Sequence, residues 1–130
     1  MSATKWGEWL DDAVIRILRL DERGNGDRAE LAQPLRFIDS DGTLCTVPAG
    51  FEFDGASIPP WAWAWIGAPL EGPYVRSAAL HDHGCRTRTE PPRTVHDRFY
   101  RSMRAEGVAQ WRAWLMHRAV RHFGPTWEVA

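Results

Sequence analysis

Leu35-Arg36-Phe37-Ile38-Asp39-Ser40-Asp41-Gly42-Thr43-Leu44-Cys45-Thr46-Val47 is the stretch that decides how the chain begins. Two short apolar-rich runs, Leu35 to Ile38 and Leu44 to Val47, flank Asp39-Ser40-Asp41-Gly42. Asp and Gly tolerate the positive φ that tight turns require, so the segment predicts a β-hairpin. Upstream, Val14 to Leu20 reads as a further strand. Asp21 to Gln33, rich in Asp, Glu, Gly and Arg, reads as a loop with a turn at Gly24 to Gly26. After Phe53 the pattern becomes helical, over Pro60 to Ile66, Tyr74 to His83, Pro92 to Glu106 and Ala109 to Phe123. Pro91 and Pro92 stand where a helix start accepts proline, and Gly107 where a helix end prefers glycine. The expected fold is α+β: a small N-terminal antiparallel β-sheet followed by a layer of three to four helices.

At 130 residues the chain is sized for one domain. Residues 1–12 read as an arm, 13–53 as the β-rich part and 54–127 as the helical part. An apolar content of 44% with eight tryptophans argues for a packed core rather than a disordered tail. No apolar run reaches the roughly 18 residues of a membrane span, and Met1 to Asp12 lacks the basic-then-apolar pattern of an export signal. Cys45 and Cys85 are too few for a disulfide scaffold and fit a reducing compartment. The net charge of −1 conceals an asymmetry: between His83 and His122 nine arginines face only Glu90, Asp97 and Glu106. Such a half suits solvated helices or an anionic partner.

The chemistry concentrates at four acids and histidines. Asp54 opens an Asp-Gly-Ala-Ser turn, His81 and Asp82 follow 27 residues later, and Asp97 lies on the next expected helix. At about 100° per residue, Ala78, His81, Asp82 and Cys85 share one helical face, with His83 almost opposite His81. Asp97 is the expected partner of His81, because a carboxylate accepting from one imidazole nitrogen leaves the other free to take a proton. Read structurally, the same groups form a buried hydrogen-bonded pair that joins two helices. His81, Cys85 and His96, with Asp82 or Asp97, also make a zinc set of imidazole, thiolate and carboxylate.

Two resemblances sit on these residues. Gly50-Phe51-Glu52-Phe53-Asp54-Gly55-Ala56-Ser57-Ile58-Pro59, Ala78-Ala79-Leu80-His81-Asp82 and Asp97-Arg98-Phe99-Tyr100 with Gly107-Val108 resemble an uncharacterised family of phage and prophage proteins, a domain of unknown function. The Asp54-to-Ser57, His81-Asp82 and Asp97 pattern is also similar to bacterial and fungal secreted phospholipases A2. Their two paired cysteines fall on Ala56 and Ala78, as expected of a variant adapted to a reducing compartment. Cys85 stands where those enzymes carry a tyrosine. That resemblance implies His81 as general base, Asp97 as its orienting acid, and calcium held by Asp54, the Gly55 carbonyl and Asp82, to stabilise an ester oxyanion.

Trp61, Trp63 and Trp65 alternate with alanine, and the last helix carries one stripe of Trp111, Trp114, Leu115, Arg118 and His122 beside another of Ala113, Met116, Val120 and Phe123. Tryptophan in a small domain is expected to pack in the core; exposed, it would suit a lipid interface or a protein socket. The resulting expectation is a phage- or prophage-encoded, calcium-dependent ester hydrolase acting on host lipid, in the host cytoplasm or the assembled virion. The alternative is a non-catalytic virion or accessory module that binds other phage proteins, its His-Asp cluster structural. Nucleic acid is not an expected partner.

Overall fold

In the computed structural model, residues 5–22, 24, 26–54, 61–62 and 74–129 are described. Among the described residues the strands come first: β1 (Glu8–Trp9), β2 (Ile15–Leu20), β3 (Gly26–Leu31), β4 (Leu35–Ile38), β5 (Leu44–Val47) and β6 (Glu52–Phe53). The helices α1 (Val75–Thr87), α2 (Pro92–Ala105) and α3 (Gln110–Phe123) follow. The fold is α+β, as the sequence implies.

The strands form two antiparallel sheets rather than one, ordered β1-β4-β5 and β2-β3-β6. The β4–β5 hairpin has the expected boundaries, with Leu35 opposite Val47 and Ile38 opposite Leu44. Gly42 supplies the turn's positive φ of 90°. The segment read as a loop over Asp21 to Gln33 contains β3, which pairs with both β2 and β6. Its polar composition hid a period of two: Ala29 and Leu31 are buried, while Arg28 and Glu30, which alternate with them, are not. Pairing on both edges and burial of alternate side chains outweigh a poor intrinsic strand preference.

Leu31, Leu35, Phe37, Val47 and Phe53 form a core that receives Ala79 and Leu80 of α1. A second core joins Phe99 and Met103 of α2 to Ala113, Met116 and Val120 of α3. Trp9 Nε1–H donates to the Ser102 carbonyl at 3.0 Å, fastening β1 to α2. Buried Glu106 accepts from Ser77 Oγ–H at 2.6 Å and Arg76 Nε–H at 2.9 Å, tying the end of α2 to the start of α1. Burial raises the Glu106 pKa against the lowering effect of those two donors.

Of the helix expected over Pro60 to Ile66, Trp61 and Ala62 are helical, and the rest, with Trp63 and Trp65, lies outside the described residues. Among the described residues no helix is long and apolar enough to cross a membrane. The tryptophan expectation is corrected on α3. Ala113, Met116 and Val120 point inward, while Trp111 and Trp114 are 57% and 55% exposed and Phe123 also faces out. An apolar stripe on each side of a helix exceeds what one core can cover.

Candidate metal centre

α1 reaches α2 closely because its facing residues are small. A Cβ on Gly84 would lie 2.8 Å from Val95 Cγ1, and Ala78, on the His81 face, is fully buried. This approach brings His81 of α1 against His96 of α2, Nε2 to Nδ1, at 2.9 Å. Phe99 stacks on the His81 ring, with centroids 4.5 Å apart. One turn beyond His81, Cys85 Sγ lies 3.6 Å from His81 Nε2. The three side chains are buried, and their ligand atoms lie within 4.8 Å of one another.

The C-terminal tail sets the tautomer. His96 Nε2 lies 3.0 Å from the Pro125 carbonyl, which can only accept, so Nε2 carries the proton. In the neutral ring Nδ1 is then a lone pair, directed at His81 Nε2. Trp127 Nε1–H donates to the Glu90 carbonyl at 2.8 Å and anchors the same tail to the start of α2. Burial, reinforced by the proximity of His96, holds His81 well below the usual imidazole range. Burial lowers His96 too, against the raising effect of the Pro125 bond. Both rings are therefore neutral at pH 7, the form that ligates metals.

A cavity of about 240 Å³ reaches His81 between β5, α1 and α2, with Cys45, Gly84, Glu90 and Arg98 in its walls. Neither Cys45 nor Cys85 is joined in a disulfide, and burial pushes Cys45 up to about 11. Below the cavity lies a group that sequence reasoning saw only as a turn residue. Asp39 accepts from Arg98 Nε–H at 2.7 Å, from Arg101 Nε–H at 2.7 Å and from the Ser40 amide at 2.7 Å. Burial alone would raise its pKa, but the two arginines outweigh it and bring Asp39 to about 2. This cluster bolts the β4–β5 turn to α2.

The residues expected to act together divide among several places. His81 and Asp82 share the buried face of α1, as their spacing predicts. Asp82 Oδ2 accepts the Asp54 amide at 3.3 Å and lies 3.9 Å from Arg86, which brings the two acidic residues to one location. The Asp54 carboxylate lies 3.8 Å from Arg28 Nη1. Gly55, the third member of the oxygen set, lies outside the described residues. Asp97 is not the partner of His81. It turns to α3, where it accepts from His117 Nε2–H at 2.8 Å, with Arg121 at 3.7 Å and Arg93 at 3.9 Å. One helical step of about 100° separates it from His96, which takes the place expected of it. The zinc set signalled His96; nothing in the sequence pointed to the Pro125 carbonyl or the Asp39 cluster.

Uncharacterized protein y4jT of Sinorhizobium fredii (strain NBRC 101917 / NGR234) is 42% identical over 100 residues, covering 77% of this chain and 30% of that protein. Uncharacterized protein y4iH of the same strain is 32% identical over 108 residues, covering 83% of this chain and 45% of that protein. The chain thus spans less than half the length of these relatives. No solved structure matches it. A model of the family described as "Protein of unknown function (DUF1353)" matches residues 29–120, most of the sheet-and-helix framework that carries His81, Cys85 and His96, and the chain belongs to that family.

Proposed function

We propose that the chain is a metal-dependent hydrolase whose ion, of the zinc class, is held by His81, Cys85 and His96. The convergence of two imidazole nitrogens and one sulfur within 4.8 Å carries this reading. Tetrahedral zinc, with bonds of about 2.0–2.1 Å to nitrogen and 2.3 Å to sulfur, sets nitrogen pairs about 3.3 Å apart and nitrogen–sulfur pairs about 3.6 Å apart. The Cys85–His81 separation of 3.6 Å meets that geometry, and the His81–His96 separation of 2.9 Å has only to open slightly. The His96 Nε2–H bond to Pro125 is the kind of outer contact that aims a ligating imidazole. When bound, such an ion acidifies water and polarises a carbonyl. Cys85 must release its proton to ligate, and His81 must carry its own proton on Nδ1.

A second reading is supported by the Asp82–Asp54 bond. It is a phage- or prophage-encoded, phospholipase A2-like hydrolase acting on host lipid, with calcium at Asp54, Gly55 and Asp82 and with His81 as base. His96, not Asp97, would then orient His81. The two readings place opposite demands on His81, ligand or base, and only the first uses Cys85.

The test is cobalt(II) or zinc binding by the purified chain, followed by absorption and metal analysis, beside fatty-acid release from phosphatidylglycerol vesicles. The zinc-class reading expects one ion per chain and loss of both binding and turnover in Cys85→Ala. Turnover that needs calcium, survives Cys85→Ala and fails in Asp82→Asn would assign the second reading. Metal binding without release of fatty acid, from these vesicles or from simple esters, would leave a non-catalytic virion or accessory module.

A further inference from the structure

We infer that the groove between α2 and α3 is a second binding site, separate from the metal centre, that takes a planar aromatic anion. A cavity of about 420 Å³ opens there, with Trp6 and Trp114 among its walls. Three polar groups in it have no hydrogen-bond partner among the described residues. One is His117 Nδ1, because Asp97 engages only Nε2, at 2.8 Å. The second is the Tyr100 hydroxyl, whose ring packs edge-on against both Trp6 and His117. The third is the Arg118 guanidinium, which lies over the Trp114 ring at 5.5 Å and has no acidic partner among the described residues.

The charge of the groove has a direction. Its one acid, Asp97, is already matched by His117, Arg93 and Arg121. Arg118 therefore stands as an uncompensated cation whose planar fork suits carboxylate or phosphate oxygens. Asp97 holds the His117 ring in place, so Nδ1 and the Tyr100 hydroxyl offer fixed contacts to the polar edge of a ligand. Arg118 covers one face of Trp114, yet the indole stays 55% exposed, leaving aromatic surface for a flat ring. Aromatic walls select a ring and the free guanidinium selects its negative charge; neither alone accounts for both.

The experiment titrates the full chain with two probes, adenosine 5′-monophosphate and 2-naphthoate, by calorimetry and tryptophan fluorescence. Expected is saturable one-to-one binding of at least one probe, the preferred one distinguishing a phosphate from a carboxylate ligand. Adenosine and inorganic phosphate should each bind at least about ten-fold more weakly than the nucleotide where the nucleotide binds. Arg118→Ala and Trp114→Ala, both at exposed positions, should each weaken binding by about ten-fold, and Trp111→Ala, outside the groove, should leave it unchanged. No saturable binding of either probe up to about 10 mM would overturn the proposal. So would equal affinity for inorganic phosphate, or wild-type affinity in Arg118→Ala and Trp114→Ala.

Discussion

His96 and Asp97 are neighbours in the chain and belong to opposite seams of one helix. On the α1–α2 side, His96 is buried with His81 and Cys85, and its ring is held neutral. On the α2–α3 side, Asp97 is partly exposed, shares its charge with two arginines and holds His117. The first seam excludes water, favours uncharged imidazole and gathers soft donors. The second admits solvent, keeps its charges and leaves polar atoms available to a visitor. A step of one residue changes the chemistry because the two seams differ in dielectric and packing.

The hardest way to break the comparison is to free α2 itself. Asp39→Ala removes the carboxylate that anchors Arg98 and Arg101 and leaves nearly buried Arg98 with Glu90 alone. Loss of about 3–5 kcal/mol is expected in chemical denaturation, since breaking a buried ion pair strands its partner. With Asp39 near 2 in the folded chain and near 3.9 unfolded, its contribution is complete above about pH 4 and disappears as the pH falls through 2.

Acid probes the buried seam next. The folded pKa values of His81 and His96 lie below their unfolded values, so the unfolded chain binds more protons below about pH 6.5. Stability is complete above that pH and falls as pH drops beneath it. Thermal unfolding of metal-free protein between pH 7.5 and 5.5 measures this. His96→Asn should flatten part of that fall, and an unchanged pH profile would contradict the burial argument.

Gly84→Ala sharpens the contrast geometrically. Its methyl group would meet Val95 Cγ1 at 2.8 Å, and the β-branched side chain has little freedom to yield. A net loss of about 1–2 kcal/mol is expected despite the better helix preference of alanine. The cobalt(II) spectrum of the His81 site should change with it, because the same approach brings His81 to His96. Asp97→Asn should do least: under about 1 kcal/mol, as for partly exposed ion pairs, with metal binding intact. A loss of metal binding in that variant would return Asp97 to the His81 site.

Some of this was legible residue by residue. The Asp-Gly turn announced its hairpin because few residues tolerate the required φ, and the prolines marked helix starts because they lack an N–H. The common face of His81, Asp82 and Cys85 follows from helical geometry alone. β3 was hidden because Arg28 and Glu30 outweigh Ala29 and Leu31 in any local count, and its evidence lies in strands it pairs with across the fold. The exposure of Trp111 and Trp114 was hidden for a related reason: both stripes of α3 are apolar enough for a core, and only packing selects one.

By itself the sequence determined the sheet-then-helices order, the place and bounds of the hairpin and which side chains of α1 face together, because these depend on local dihedral preference and period. Tertiary structure alone decided that His81 meets His96 rather than Asp97, that Pro125 fixes a tautomer 29 residues away, and that Asp97 serves His117. Those pairings depend on the rotation of one helix against two others, which side-chain volumes at Gly84, Val95 and Phe99 set and no local rule encodes.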